Sequence, residues 1–221
     1  MTGRDERGDA APGRGEDAAG ADGGGEERAA VLRSARSRDA RAIAELFRIS
    51  SDGVADYIWT TLADDYPGLE PLEIGERRYQ REDTAFSYRH CLVVEQGGAI
   101  IALVHAFPIA PAAGTAAPSG PADPVLQPYA ELEAPGTLYI SAMAVRPAYR
   151  GRGIGRRLLE AARQRARALG LGELSLLCFA ANTQALRLYE REGFGVIDRR
   201  EVVPHPLIHH TGEVLLMTAP V

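Results

Sequence analysis

The chain has 221 residues, with 25 basic side chains against 30 acidic ones and a formal net charge of −5. Every basic residue is arginine. A Walker-type phosphate loop and a pyridoxal-phosphate Schiff base both need a lysine, so both are excluded. Hydrophobic content of 45% is ordinary for a globular chain, and no apolar run is long enough to span a bilayer. Cys91 and Cys178 are the only cysteines, too few for a disulfide framework or a four-cysteine zinc site, and both sit in apolar runs that read as buried thiols. The N-terminus lacks the apolar stretch of a secretory leader, and a cytoplasmic location is expected.

Residues 1–29 consist of Gly, Ala, Asp, Glu, Arg and a few other small residues, a composition that cannot offset the entropy of ordering and reads as a disordered tail. The first thirty residues hold eight acids and four arginines, so nearly all of the net charge belongs to this tail. Residues 30–221 read as one domain. An apolar run at Ala30–Leu32 precedes a helix over Asp39–Ser51, where Ile43, Leu46, Phe47 and Ile49 recur at helical spacing. A second helix is expected over Val54–Ala63 and a third over Leu72–Phe86. The runs His90–Glu95 and Ala99–Phe107 flank Gln96-Gly97-Gly98 and read as a hairpin.

Residues 108–136 shift to Pro, Ala and Gly and form a long loop, ending in the more structured-looking stretch Tyr129–Glu133. A strand follows over Thr137–Val145, then a helix over Gly153–Leu169 closed by Gly170. Glu173–Phe179 reads as a strand and Thr183–Glu192 as a helix ending at Gly193. Phe194–Val203 and Glu213–Ala219 read as closing strands. This order gives an α/β (α+β) layer arrangement, with a mixed sheet flanked by helices.

The stretch Val145–Leu159 carries the chemistry. A strand enters a glycine-rich turn that opens directly into a helix, so backbone amides at the helix start can receive an anion, with the macrodipole adding attraction. Arg150 and Arg152 lie in the turn, and eight arginines against one acid occupy positions 146–167. The pattern implies a pyrophosphate or similar polyanion. The dinucleotide fingerprint fails, because Arg156 stands where its third glycine belongs. Aromatic residues interleaved with the arginines, which a nucleic-acid surface would favour, are missing, so no nucleic-acid partner is expected.

Arg150-x-x-Gly153-x-Gly155, after a strand ending Ala144-Val145-Arg146-Pro147, resembles the acetyl-CoA-binding signature of the GNAT superfamily of N-acetyltransferases. The resemblance continues in Asn182–Phe194, which is similar to that family's second motif, and is specific between Tyr139 and Gly195. It implies a mostly antiparallel sheet of about seven strands, splayed between the fourth and fifth. It also implies acetyl-CoA as cosubstrate, with no metal. The amides of Gly151, Arg152, Gly153, Ile154 and Gly155, beside Arg150, would hold the coenzyme pyrophosphate. The backbone of Met143, Ala144 and Val145 would pair with the pantetheine arm, and Asn182 would bond to it. Tyr189 would protonate the departing thiolate. A phenol near 10 can serve a thiol of pKa about 8.5. Tyr189 also reads as a core tyrosine, and Asn182 as an N-cap.

The strand Thr137–Val145 holds no carboxylate to deprotonate the amine. Glu133, just upstream, is the preferred base; Glu131, His105 or a water chain are alternatives, and Glu133 also reads as a solvated loop residue. His205, His209 and His210 lie among prolines in extended structure, better suited to lining an acceptor pocket than to binding metal. Asp52, Asp56, Asp64 and Asp65 could attract a cationic amine. The expected reaction is acetyl transfer to a primary amine, on a small molecule or peptide. The alternative is a non-catalytic acyl-CoA-binding module. No membrane partner is expected, and a homodimer is compatible with the chain.

Overall fold

The computed structural model describes residues 29–111 and 123–221. The expected tail therefore lies outside the described residues except for Ala29, as does part of the loop, residues 112–122. Seven strands form one sheet: β1 (Val31–Ser34), β2 (Cys91–Gln96), β3 (Ala99–Pro108), β4 (Leu138–Val145), β5 (Glu173–Phe179), β6 (Gly195–Glu201) and β7 (Glu213–Pro220), in the order β1-β2-β3-β4-β5-β7-β6. Every neighbouring pair is antiparallel except β4 and β5, which run parallel. The helices are α1 (Ala40–Ser51), α2 (Val54–Thr61), α3 (Pro71–Gln80), α4 (Gln127–Ala130), α5 (Ile154–Ala168) and α6 (Thr183–Arg191). No helix among the described residues is long and apolar enough to cross a membrane.

Alternation along β3 divides the core. Ala102, Val104 and Ala106 join the cluster built around Leu158, Leu159 and Ala162 of α5. Leu103 faces the other way, into the cluster of Ile43, Leu46 and Phe47 of α1, Trp59 of α2 and Tyr79 of α3. Both cysteines are free and buried.

Two irregularities in β4 set the shape of the sheet at its centre. His105 pairs with Ala142, but Ala106 pairs with Ile140, so Ser141 is an extra residue in a bulge. The bulge exchanges faces: Leu138 and Ile140 lie in the α5-side core, whereas Ala142 and Ala144 lie in the α1-side core. The second irregularity is the parallel pairing. It covers only Leu138↔Leu174, Tyr139↔Ser175 and Ile140↔Leu176. Beyond those pairs β4 stays with β3 as far as Val145↔Ala102, and β5 stays with β7 as far as Phe179↔Val214. The strands diverge into a V whose closed end is pinned by the Thr137 and Ser175 hydroxyls, 2.6 Å apart.

Local differences from the expected elements have local causes. The helix expected to Phe86 stops at Gln80. The Ser87 hydroxyl donates to the Arg81 carbonyl at 2.5 Å, closing a turn that stacks Phe86 on the His105 ring, 5.7 Å between centroids. The loop expected over 108–136 contains α4, started by Asp123, whose Oδ1 accepts from the Val125 amide at 2.9 Å.

Candidate active site

The V between β4 and β5 opens into a cleft of about 1660 Å³ that reaches both faces of the sheet. One wall comes from α1, α2 and α3, and the other from the starts of α5 and α6. Of the residues expected in the site, Glu133, Met143, Ala144, Val145, Arg150, Gly151, Gly153, Ile154, Gly155, Asn182 and Tyr189 all line this cleft. Arg152 does not. Its guanidinium lies over the Tyr149 ring, 5.4 Å from the centroid, and donates to the Ala148 carbonyl at 3.4 Å.

The glycines of the turn are there for conformation. Gly151 and Gly153 have φ of +76° and +75°, and an added Cβ would meet nothing within 4 Å at either. The left-handed backbone is what requires glycine, and the space above it is open. Gly153 caps α5, so the first amides of a 15-residue helix face the cleft mouth. Arg150 folds back, Nε donating to the Val145 carbonyl at 3.1 Å.

The arginine cluster is smaller in space than in sequence. Arg146 is bound to Glu45 at 2.6 Å, Arg163 to Glu192 at 3.3 Å and Arg167 to Glu160 at 3.5 Å. Arg165 lies 3.1 Å from His90 Nδ1. Arg150, Arg152, Arg156 and Arg157 remain around the turn, with Arg156 contacting Glu192 at 3.5 Å.

Tyr189 projects from α6 and is 8% exposed. Its ring packs on Phe194, 5.6 Å between centroids, so it is both a core residue and a cleft residue. Burial, with the Cys178 thiol adding to it, raises its hydroxyl well above the ordinary value, which keeps the proton in place. Asn182 likewise serves in two ways. Its Oδ1 accepts from the Ala185 amide at 3.1 Å as the cap of α6, while Nδ2 donates to Asp52 Oδ2 at 3.4 Å.

The candidate proton acceptors separate sharply. Glu133 is exposed and lines the cleft. Glu131 is tied to Arg200 at 3.0 Å. His105 is fully buried, with Nδ1 2.5 Å from Ser141 Oγ and Nε2 3.0 Å from the Ala85 carbonyl. Burial pushes it down to about 3, so it is a neutral core histidine.

Three further features line the cleft, and of these only Arg78 was not singled out from the sequence. Asp52, at the α1–α2 turn, holds His210 Nε2 at 3.2 Å. The pairing unites residues far apart in sequence and left no motif. His210 lines the cleft, whereas His209 is exposed and His205 packs on Tyr57. Tyr129, on α4, lines the cleft with a buried hydroxyl that has no hydrogen-bond partner among the described residues. Arg78, on α3, is the third. Of the acidic residues expected to attract a cation, Asp56 is bound by Arg48 at 2.9 Å, and Asp64 and Asp65 are exposed.

A seven-stranded sheet parted between two parallel strands, with a glycine-capped helix N-terminus at the opening, defines an acyltransferase-type fold. The model of the acetyltransferase (GNAT) family matches residues 55–194, and the chain belongs to that family. It is an acetyltransferase. Among solved structures it is similar to one described only as an acetyltransferase, with TM-score 0.60 and 18% identity over 86% of this chain and 99% of the other. An N-acetyltransferase from Staphylococcus aureus Mu50 aligns with TM-score 0.57 and 19% identity over 86% and 100%. The ribosomal-protein-S18-alanine N-acetyltransferase from Escherichia coli aligns with TM-score 0.55 and 16% identity over 87% and 94%. At such identities these likenesses show the fold alone. No match was found among curated proteins.

Proposed function

We propose that the chain transfers the acetyl group of acetyl-CoA to a primary amine by direct attack of the amine on the thioester. The observation that carries this reading is the divergence of β4 from β5 over a glycine-capped helix, with Tyr189 in the same cleft. The residues present fit the coenzyme. Gly151 and Gly153 leave open space where side chains would stand, and the edge of β4 beyond Ile140 has no strand beside it among the described residues.

In this reading the amides of Gly151–Gly155, with Arg150 beside them, receive the pyrophosphate, helped by the α5 dipole. The backbone of Met143, Ala144 and Val145 pairs with the pantetheine arm as a missing strand would, and Asn182 hydrogen-bonds to that arm. The bound coenzyme supplies an activated acetyl group. The acceptor must lose an ammonium proton before its nitrogen lone pair can attack. Glu133 takes that proton at its carboxylate; the His210 imidazole, held by Asp52, is a second acceptor favoured by its contact geometry. As the carbon–sulfur bond breaks, the Tyr189 hydroxyl gives its proton to sulfur.

Titrating acetyl-CoA against melting temperature and measuring thiol release with an amine panel tests the proposal. Saturating acetyl-CoA should raise the melting temperature, and Tyr189→Phe should keep that shift while turnover falls about 100-fold or more. No thermal shift overturns the coenzyme reading. Unchanged turnover in Tyr189→Phe removes the proton-donor role.

A further inference from the structure

The α1–α3 side of the cleft is aromatic. Phe47, Tyr79, Phe86 and Phe107 line it, away from the glycine turn and α6. Into this apolar wall the last turn of α3 brings Arg78. Its guanidinium carbon lies 5.9 Å from the Phe86 ring centroid. Among the described residues no carboxylate lies within ion-pair distance of it.

The arginines around it are exposed or paired: Arg77 and Arg81 lie at the surface. Arg33, Arg41, Arg48, Arg89 and Arg146 each have a carboxylate within ion-pair distance. Arg78 is half-buried, and the charge that acts on it most strongly is that of another cation, Arg81. Burial and the Arg81 charge both work against its charged form. A half-buried guanidinium without a counter-ion is costly unless a ligand completes it. The planar fork suits a carboxylate, and the surrounding rings suit an apolar body.

Building on the acetyl-transfer reading, we propose that Arg78 receives a carboxylate of the acceptor, so that the substrate is a small amino acid-like molecule with an apolar side chain. The cationic amine that Asp52, Asp56, Asp64 and Asp65 suggest from sequence would set its positive charge against that of Arg78 at this end of the cleft.

Thiol release from acetyl-CoA would be measured with L-phenylalanine, L-methionine and L-leucine, their amides, and the corresponding decarboxylated amines. The wild-type protein should favour at least one free acid over its amide and its amine about 10- to 100-fold in kcat/KM. Arg78→Gln should abolish that preference and keep the melting-temperature shift given by acetyl-CoA; Arg78→Met, which retains the stem on Phe86, replaces it if the glutamine variant does not fold. Equal wild-type rates on acid and amide, or a preference that survives in the variant, overturn the proposal. If no amine releases thiol, the acetyl-transfer reading fails separately. Calorimetry with coenzyme A and the N-acetyl forms of the three acids and their amides then decides, with tighter binding of the acids in wild type alone supporting the Arg78 site and equal binding overturning it.

Discussion

Nε2 of His210 lies 3.2 Å from Oδ2 of Asp52, and Nδ2 of Asn182 reaches the same carboxylate oxygen at 3.4 Å. One carboxylate thus ties together the α1–α2 turn, the segment before β7 and the cap of α6, at a point where all three line the cleft. If His210 accepts the acceptor's proton, Asp52→Asn should lower amine turnover about 10- to 100-fold, a part of what general-base catalysis supplies. Glu133→Gln should then have little effect. The reverse ranking in steady-state kinetics would give the role to Glu133.

The backbone holds this arrangement as firmly as the carboxylate does. Gly53 has φ of +99°, and a Cβ placed there would lie 1.7 Å from the Leu207 carbonyl oxygen. The His209 amide donates to the Asp52 carbonyl at 2.8 Å, so residues 207–210 sit directly on the turn. Gly53→Ala should push that segment away, costing about 1–3 kcal/mol in urea unfolding. The acceptor KM should rise, while the thermal shift given by acetyl-CoA persists.

Gly153 poses the opposite case, since a Cβ there meets nothing within 4 Å at φ +75°. Only the left-handed backbone opposes Gly153→Ala, at about 1–2 kcal/mol. Melting temperature should fall by a few degrees for a domain of this size. Acetyl-CoA affinity should fall by a larger factor than amine affinity, because the residue caps the helix that faces the proposed pyrophosphate. Calorimetry with coenzyme A alone checks this.

His105 makes folding stability depend on acid. Its ordinary value is 6.5, and burial depresses it to about 3 in the fold. Below pH 6.5 the unfolded chain therefore binds a proton that the folded chain refuses. Stability attributable to this group is intact above that pH and falls by about 1.4 kcal/mol per unit down to the folded value. Unfolding free energies from urea titrations at pH 7 and pH 5 should differ by about 2 kcal/mol from this residue. His105→Gln should flatten that slope.

Elements with a strong period or a strong stop were readable from the chain. The β5 range Glu173–Phe179 matches the expected bounds, and α6 stops before Gly193, whose φ is +87°. The strand–glycine turn–helix pattern carried the half of the cleft at the start of α5, because those residues are contiguous. The other half was legible only as scattered residues, Asp52 and His210 among them, because it is assembled from α1, α3, α4 and the segment before β7. Helical propensity over 72–86 overran the tertiary packing of Phe86, and the short α4 was hidden by Pro128 within a proline-rich stretch. Counting arginines overstated the basic patch, since Arg146 and Arg163 find acids that are distant in sequence.

The three residue pairs between β4 and β5 are the only ladder joining the half-sheet β1–β4 to the half-sheet of β5, β7 and β6 among the described residues. Such a seam acts as the rivet of a pair of tongs. An extended arm laid along the open blades would lengthen the seam, so a bound ligand there is also a structural clasp between the halves. Amide protons of residues 143–145 and 177–179 should exchange with solvent much more slowly once the clasp is in place, whereas those at the rivet should change little.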